Sequence, residues 1–205
     1  MSWVLFDYGG VISRWPSSEE LAALSAVAGA PEEKFSDAYW RRRSAYDRAE
    51  VDGPQYWQQV GLILGRSENY SDDDVAQLCR LDADSWLHLD PGAVELIEEL
   101  SASGHRLALL SDAPSEIADA IAELPVARHF EHLIFSCQVK LAKPDPACYE
   151  TALAVLEAEP DEVIFLDDRT DNLAAAAAMG IGIIQFTSPE QARTDLTELL
   201  FRNRK

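Results

Sequence analysis

Five short runs of apolar residues, many of them β-branched or aromatic, restrict the fold of this 205-residue chain more than any other feature. Each run is almost continuously apolar, which is typical of a strand buried on both faces of a parallel sheet. The runs are Trp3–Phe6, Arg106–Leu110, Leu133–Phe135, Val163–Leu166 and Gly182–Phe186. Helical segments with recognisable ends separate the later runs, such as Pro91–Ser103, which Gly104 follows. This alternation predicts an α/β protein with a doubly wound parallel sheet.

A long gap between the first two runs predicts an insertion. The first run ends at Phe6 and the second begins at Arg106, although a simple crossover unit takes only about 30 residues. The segments expected to be helical in this gap are Ser18–Ala28, Pro31–Glu50, Gly53–Leu64 and Ser71–Leu87. We expect residues 16–88 to form a helical insertion, a small all-helical cap over the carboxyl edge of the sheet. Residues 1–15 and 89–205 then form the core.

The charge balance limits the ligands that the protein can take. The chain has 36 acidic and 17 basic residues, a formal net charge of −19. Such a chain repels a nucleic-acid backbone, and no stretch gathers basic residues among aromatic ones, so we expect no nucleic-acid partner. An anionic substrate must be captured locally, by a metal ion, a helix N-terminus or a few cations.

Other features bear on compartment and assembly. The longest apolar run, Leu173–Ile184, has 12 residues, fewer than the roughly 18 that a membrane span needs. Cys79, Cys137 and Cys148 are odd in number and widely spaced, which fits neither a disulfide framework nor a zinc site. The N-terminus has no basic, signal-like segment. We therefore expect a cytoplasmic protein without a membrane partner, and the sequence leaves its oligomeric state open.

Polar residues follow four of the apolar runs directly or closely. They are Asp7 after the first run, Ser111 and Asp112 after the second, Lys143 after the third, and Asp167 and Asp168 after the fourth. Because ligands of doubly wound sheets bind at the carboxyl ends of the strands, we expect these side chains to share one crevice. Several carboxylates beside one ammonium group favour a hard cation such as Mg²⁺, which in turn binds a phosphoryl group.

These residues form four motifs whose order and spacing resemble those of the haloacid dehalogenase (HAD) superfamily. The motifs are Phe6-Asp7-Tyr8-Gly9-Gly10-Val11, Leu109-Leu110-Ser111-Asp112, Lys143-Pro144-Asp145-Pro146 and Phe165-Leu166-Asp167-Asp168. The resemblance covers nearly the whole chain and implies a Rossmann-like core with the helical cap of subclass I. The first motif is similar to that of glucose-1-phosphate phosphatases and of the phosphatase domain of soluble epoxide hydrolases.

The resemblance implies a phosphatase acting on a small phosphorylated metabolite. Asp7 would attack phosphorus and form an aspartyl phosphate, which divides one difficult hydrolysis into two easier steps. Ser111 Oγ and the Asp112 backbone N–H would bind the phosphoryl oxygens. Lys143 would hold both the phosphoryl group and the nucleophile as a fixed cation.

The same resemblance implies a magnesium cofactor. Asp7, the carbonyl oxygen of Gly9 and Asp168 would hold Mg²⁺, and Asp167 would support the ion through water. Two adjacent carboxylates repel each other unless a cation lies between them, which independently favours metal binding at Asp167 and Asp168.

Gly9 is a departure from the family pattern. Most phosphatases of the family carry a second Asp at this position, which protonates the leaving alcohol and then activates water, a role worth about 10²–10⁴-fold in rate. If no residue of the cap replaces this acid, esters with good leaving groups should be favoured. Two alternatives stay open: a carbon–halogen hydrolase that needs no metal, against which the Asp167-Asp168 pair argues, and a non-catalytic phosphate-binding relative.

A basic and aromatic patch in the insertion is harder to interpret. It consists of Arg41, Arg42, Arg43 and Arg48 with Tyr39, Trp40, Tyr46 and Trp57. Such a patch can recognise an anionic or sugar-like substrate. We favour a solvated helix face whose aromatic residues pack inside the insertion. Arg14 and Trp15, just after the first motif, could line the mouth of the site.

Overall fold

The computed structural model describes residues 2–202 and contains a five-stranded, wholly parallel sheet with the order β3-β2-β1-β4-β5. The strands are β1 (Trp3–Phe6), β2 (Arg106–Ser111), β3 (His132–Phe135), β4 (Val163–Asp167) and β5 (Gly182–Gln185). All five predicted strands are confirmed. The chain winds outwards from β1 in one direction to β3 and then in the other to β5, so the switch point lies between β1 and β4.

The sheet is buried on both faces, which explains why its strands are nearly continuous apolar runs. In β1, Val4 and Phe6 belong to one hydrophobic cluster, whereas Trp3 and Leu5 belong to a second cluster on the other face. The two clusters are the two layers between the sheet and its flanking helices.

The insertion between β1 and β2 begins with five helices. They are α1 (Ser18–Ala28), α2 (Glu32–Arg41), α3 (Arg43–Asp47), α4 (Gly53–Ile63) and α5 (Asp72–Ser85). The side chains of Ser17, Asp52 and Ser71 accept hydrogen bonds from backbone N–H groups at the starts of α1, α4 and α5. These helices enclose a third hydrophobic cluster, which includes Phe35 and Trp57.

The prediction of one continuous helix in the insertion is wrong. The sequence pattern predicts a single helix over Pro31–Glu50, but the structure breaks it at Arg42, whose φ is −116° and ψ is 2°. The break changes the direction of the chain so that Arg43 turns inwards and pairs with the buried carboxylate of Asp82. A tertiary ion pair has overridden a local helical preference.

The core carries six further helices. They are α6 (Pro91–Ala102), α7 (Ser115–Ala122), α8 (Ser136–Val139), α9 (Pro146–Leu156), α10 (Thr170–Ala178) and α11 (Pro189–Arg202), with short 3₁₀ turns at Pro125–His129 and Pro160–Glu162. Within residues 2–202, no helix combines the length and the apolar character that crossing a membrane requires. The three cysteines are free thiols. The cytoplasmic location stays a prediction.

Two connections join the insertion to the core, and they run side by side. Ser13 pairs with Leu89 in an antiparallel bridge, and the backbone N–H of Arg14 donates to the carbonyl oxygen of His88 over 3.0 Å. Because this junction follows β1 closely, the insertion lies next to the carboxyl end of the sheet.

Candidate active site

Asp7 and Lys143 form a buried ion pair at the end of β1. The Nζ atom of Lys143 donates to Asp7 Oδ1 over 2.5 Å, to Asp167 Oδ2 over 3.2 Å and to the carbonyl oxygen of Leu110 over 3.1 Å. The backbone N–H of Tyr8 donates to the same Asp7 oxygen over 2.7 Å. The ammonium group of Lys143 has three hydrogen-bond acceptors. These contacts offset the desolvation penalty of burying its charge.

The electrostatics of this pair favour a permanent cation. Burial lowers the pKa of Lys143, but the carboxylates of Asp7, Asp112 and Asp167 raise it more, so the net shift is upward and the ammonium stays charged. Burial also raises the pKa of Asp7, and Lys143 opposes that rise. Oδ1 of Asp7 is committed to its two donors, so we expect Oδ2 to be the reactive oxygen.

Ser111 and Asp112 lie where β2 ends. Ser111 is buried and lines the cleft beside Asp7. Asp112 accepts a hydrogen bond from the backbone N–H of Lys143 over 3.1 Å, and burial raises the pKa of its carboxyl group. The loop after β2 and the loop that carries Lys143 are therefore bound to each other.

Asp167 and Asp168 are adjacent in sequence but have different surroundings. Asp167 is completely buried, and it accepts hydrogen bonds from Asn172 Nδ2, from the backbone N–H of Arg169 and from Lys143. Asp168 accepts one bond, from Trp15 Nε1 to its Oδ2 over 3.2 Å. Its Oδ1 is buried and has no hydrogen-bond partner among the described residues. Asp167 therefore organises the site, while Asp168 offers an unused oxygen.

The carboxylates are arranged as a cation would require. Oxygen atoms of Asp7, Asp167 and Asp168 all lie within 4.8 Å of one another. The orphaned Oδ1 of Asp168 would otherwise carry a desolvation cost without compensation. Gly10 adopts a φ of +78°, and a Cβ atom there would collide with the Asp168 carboxylate. An oxygen-only donor set of this kind fits Mg²⁺.

The helical insertion supplies the opposite wall of the cleft, whose cavity volume is about 120 Å³. Trp40, Arg43, Asp47 and Trp86 line this side, and Trp15 lies at the junction. The rings of Trp15 and Trp86 meet edge to face with centroids 5.3 Å apart, and those of Trp15 and Trp40 are 6.0 Å apart. Trp15 and Trp40 are nearly half exposed, so they offer aromatic surface to a bound ligand.

A buried ion network stands behind this wall. Arg43 Nη1 lies 3.0 Å from Asp82 Oδ2, and Arg43 Nε lies 2.7 Å from Asp47 Oδ1. Tyr39 donates to Asp82 over 2.6 Å. Asp82 raises the pKa of Arg43 in spite of burial. Burial raises the pKa of Asp47 to about 6, although Arg43 opposes the rise.

The patch predicted from the sequence therefore divides. Tyr39, Tyr46 and Trp57 pack inside the insertion, as we favoured. Arg43 is buried rather than solvated, because Asp82 and Asp47 pair with it, and Trp40 lines the cleft. Of the two residues after the first motif, Trp15 lines the cleft, whereas the exposed Arg14 pairs with Glu20.

Trp86 fills the space beside Gly9. A Cβ atom on Gly9 would lie only 2.9 Å from Trp86 Cζ3. Trp86 is itself held in place, since its carbonyl oxygen accepts hydrogen bonds from Tyr8 Oη over 2.8 Å and from Ser13 Oγ over 2.6 Å. A side chain at position 9 therefore fits only if the Trp86 ring shifts.

Every residue predicted for the site lines the cleft or contacts a residue that does. Asp7, Gly9, Ser111, Asp112, Lys143 and Asp168 line it, and Asp167 lies directly behind, bonded to Lys143. The sequence reasoning missed Asp47 and Trp86 as cleft residues and Asn172 as the side chain that orients Asp167. The one sequence signal that could have indicated Asp47 is its position as an acidic residue near the end of a helix.

Comparison with known proteins identifies the family of the chain. Residues 1–180 match the haloacid dehalogenase-like hydrolase family. The chain belongs to this family of hydrolases.

Two curated relatives illustrate its range. Validoxylamine A 7'-phosphate phosphatase of Streptomyces hygroscopicus subsp. limoneus is 30% identical over 208 residues, which cover 95% of this chain and 94% of the relative. Acyl-CoA dehydrogenase family member 10 of Mus musculus is 27% identical over 204 residues. That match covers 96% of this chain but only 19% of the mouse protein, so the chain corresponds to one part of it.

Solved structures share the fold. A HAD family enzyme of Bacteroides thetaiotaomicron, in complex with magnesium and inorganic phosphate, has a TM-score of 0.73 at 18% identity, with 91% of this chain and 94% of that one covered. L-2-haloacid dehalogenase of Xanthobacter autotrophicus, with chloropropionic acid covalently bound, has a TM-score of 0.70 at 19% identity, with 97% and 83% covered. At these identities the likeness concerns the fold alone.

Proposed function

We propose that this protein is a Mg²⁺-dependent phosphohydrolase that acts on a small phosphorylated metabolite through an aspartyl-phosphate intermediate. The observation that carries the proposal is the unpartnered, buried Oδ1 of Asp168 beside the Asp7–Lys143 pair. An orphaned carboxylate oxygen next to a nucleophile and a fixed cation suits a metal-assisted attack on phosphorus.

The roles of the core residues follow from their contacts. Asp7 Oδ2 attacks phosphorus while Lys143, bonded to Oδ1, keeps the carboxylate in place. Lys143 and the Ser111 hydroxyl bind the phosphoryl oxygens, where negative charge develops. Asp7, the Gly9 carbonyl and Asp168 would hold Mg²⁺, with Asp167 supporting them. When bound, the ion would neutralise phosphoryl charge.

The proposal favours phosphate esters over halogenated acids. The dehalogenase fold neighbour carries no argument for activity at 19% identity. A metal-free enzyme has no use for the orphaned Asp168 oxygen, whose burial costs free energy unless a ligand meets it. Mg²⁺ dependence separates the two functions.

We further propose that the helical insertion, residues 16–88, acts as the cap that selects the substrate. Two nearly half-exposed tryptophans line the cleft: Trp40 of the insertion, and Trp15 at its junction with the core. Aromatic faces of this kind pack against the apolar face of a sugar or another ring. The name of the Streptomyces relative, validoxylamine A 7'-phosphate phosphatase, supports a phosphorylated small molecule as substrate.

The test is hydrolysis of phenyl phosphate with and without Mg²⁺, in wild type, Asp7→Asn and Asp168→Asn. We expect Asp7→Asn to lose at least about 10⁴-fold in turnover, because the nucleophile is gone. Asp168→Asn should weaken the apparent Mg²⁺ affinity by about 10²-fold. Asp171→Asn, at an exposed acid three residues further on, is the matched control and should change neither value.

Two results would contradict the proposed function. Full activity in the presence of a chelator would remove the role of the metal. Tight phosphate binding without turnover, in a folded wild-type protein at any Mg²⁺ concentration, would support the non-catalytic phosphate-binding alternative.

A further inference from the structure

The usual proton donor is missing from the cleft, because position 9 is a glycine. The Trp86 ring occupies the volume beside Gly9, and the backbone carbonyl oxygen of Trp86 accepts hydrogen bonds from the core residues Tyr8 and Ser13. An alkoxide leaving group nevertheless needs a proton as the bond to phosphorus breaks. A different side chain of the cleft must provide it.

Four carboxyl groups line the described part of the cleft: Asp7, Asp47, Asp112 and Asp168. Asp7 is the nucleophile in the proposed function, and Asp168 is a candidate metal ligand. Asp112 belongs to the loop expected to bind the phosphoryl group, and its Oδ1 accepts the backbone N–H of Lys143. Asp47 is the remaining acid, and it comes from the helical insertion, on the side where a leaving group would lie.

The position of Asp47 is fixed from the core. Ser136 Oγ donates to the carbonyl oxygen of Asp47 over 2.6 Å and accepts from the backbone N–H of Ala113 over 2.9 Å. Ala113 directly follows Ser111 and Asp112, the segment expected to bind the phosphoryl group. One hydroxyl thus ties the backbone of Asp47, at the end of α3, to the loop expected to bind the phosphoryl group.

We propose that Asp47 is the general acid and general base of this hydrolase, in the place of the side chain missing at Gly9. This assignment rests on the proposed function. In the first step Asp7 Oδ2 bonds to phosphorus, the bond to the leaving oxygen breaks, and the electron pair on that oxygen takes the proton of Asp47. In the second step water bonds to phosphorus and gives a proton to the Asp47 carboxylate, while the bond to Asp7 breaks and phosphate leaves.

The surroundings of Asp47 suit both steps. Burial raises the pKa of its carboxyl group to about 6, so that both protonation states are accessible near neutral pH. Arg43 on the same helix lowers the pKa, whereas Asp112 of the loop after β2 and Asp82 of α5 raise it. Tyr56 of α4 lies near both Arg43 and Asp47 and stays neutral, since burial raises its own pKa.

The test compares two esters that share a ring but differ in the leaving group, phenyl phosphate and benzyl phosphate, in the presence of Mg²⁺. Phenoxide leaves without help, whereas the benzyl alkoxide needs a proton. In Asp47→Asn we expect kcat/KM for benzyl phosphate to fall by about 10²–10⁴-fold, with a much smaller loss for phenyl phosphate. Without the base, the aspartyl phosphate should accumulate, so phenol release should show a burst.

The pH profile adds a second readout. With benzyl phosphate, the wild-type rate should fall as the pH rises through about 6, because Asp47 loses the proton that it must donate. Asp47→Asn should lack this decrease, while Asp37→Asn, at an exposed acid of α2, should keep it. The ionisation of the ester itself is the same in all three proteins.

Four outcomes would overturn the assignment. Equal losses on both esters in Asp47→Asn, without a burst, would mean that Asp47 only supports the structure. If Asp47→Asn does not fold, the wild type decides: more than about 10²-fold slower turnover of benzyl than of phenyl phosphate would mean that no acid assists the leaving group. If the wild type hydrolyses neither ester, both the proposed function and the role of Asp47 are wrong. If Asp7→Asn abolishes the activity but Asp47→Asn retains it, only the role of Asp47 is wrong.

Discussion

The two walls of the cleft are built in different ways. The core wall consists of side chains at the carboxyl ends of β1, β2 and β4, and its groups are charged and bonded to one another, as in the contacts of Lys143 with Asp7 and Asp167. The insertion wall consists of tryptophan rings in front of a buried ion network around Arg43. In the proposed function, the core wall holds the groups for phosphoryl transfer, and the insertion wall holds a surface for recognition and one acid.

If the proposed function is correct, this difference separates the groups for chemistry from the groups that select the substrate. The core groups are fixed by the sheet, whose strands are buried on both faces. The insertion contributes through side chains held by contacts between helices, which can be altered without disturbing the sheet. Substitutions in the insertion should therefore affect three properties separately. These are the stability of the insertion wall, proton transfer and the affinity for substrate.

Removing the charge of Asp82 should break the insertion wall most severely. Asp82→Asn leaves the buried guanidinium of Arg43 with Asp47 as its remaining carboxylate partner. Loss of one partner of a buried ion pair costs about 3–5 kcal/mol in the free energy of unfolding. Chemical denaturation measures this loss. Asp84→Asn, at an exposed site on the same helix, should stay within about 0.5 kcal/mol of wild type, and an equal loss in both variants would refute the argument.

Disturbing the contact between Gly9 and Trp86, where the two walls meet, should have a smaller effect on the free energy of unfolding. Gly9→Ala places a Cβ atom against the ring of Trp86, and overpacking of this kind costs about 1–3 kcal/mol. In a Trp86→Leu background the same substitution should cost distinctly less, and a double-mutant cycle measures the coupling. Additive effects would show that Trp86 does not exclude a side chain from position 9.

Removing an exposed tryptophan ring should have the smallest effect, and it should distinguish substrate recognition from catalysis. Trp40→Ala should raise KM for benzyl phosphate by about tenfold, equivalent to about 1.4 kcal/mol, with little change in kcat or in inhibition by inorganic phosphate. Leu62→Ala removes another exposed apolar side chain of the insertion, at 67% exposure, and should leave KM unchanged. A lower kcat in Trp40→Ala would place this ring in the catalytic machinery.

Most of the core could be predicted because its signals are local. A strand buried on both faces has to be apolar at successive positions, so Trp3–Phe6 and Val163–Leu166 are recognisable without any knowledge of their neighbours. The residues that follow such strands, Asp7 and Asp168 among them, must then lie at one edge of the sheet.

The insertion was predicted less well because its decisive contacts join residues far apart in the chain. Nothing near Arg42 ends the helix; the break accompanies the pairing of Arg43 with Asp82, 39 positions further on. Likewise, Asn172 has the sequence character of a helix start, but its side chain donates to Asp167.

By itself, the sequence determined the strands, the helical character of the insertion and the set of acids and the one lysine at the sheet edge, since apolar continuity and strand-end position are local properties. The tertiary structure decided which other side chains complete the cleft. Asp47 and Trp86 reach it because Ser136, Tyr8 and Ser13 hold their backbone carbonyl groups against the core. Hydrogen bonds between distant segments leave no periodic pattern in a sequence. The packing of Trp86 beside Gly9, and the position of Asp47 in the cleft, are therefore visible only in the folded chain.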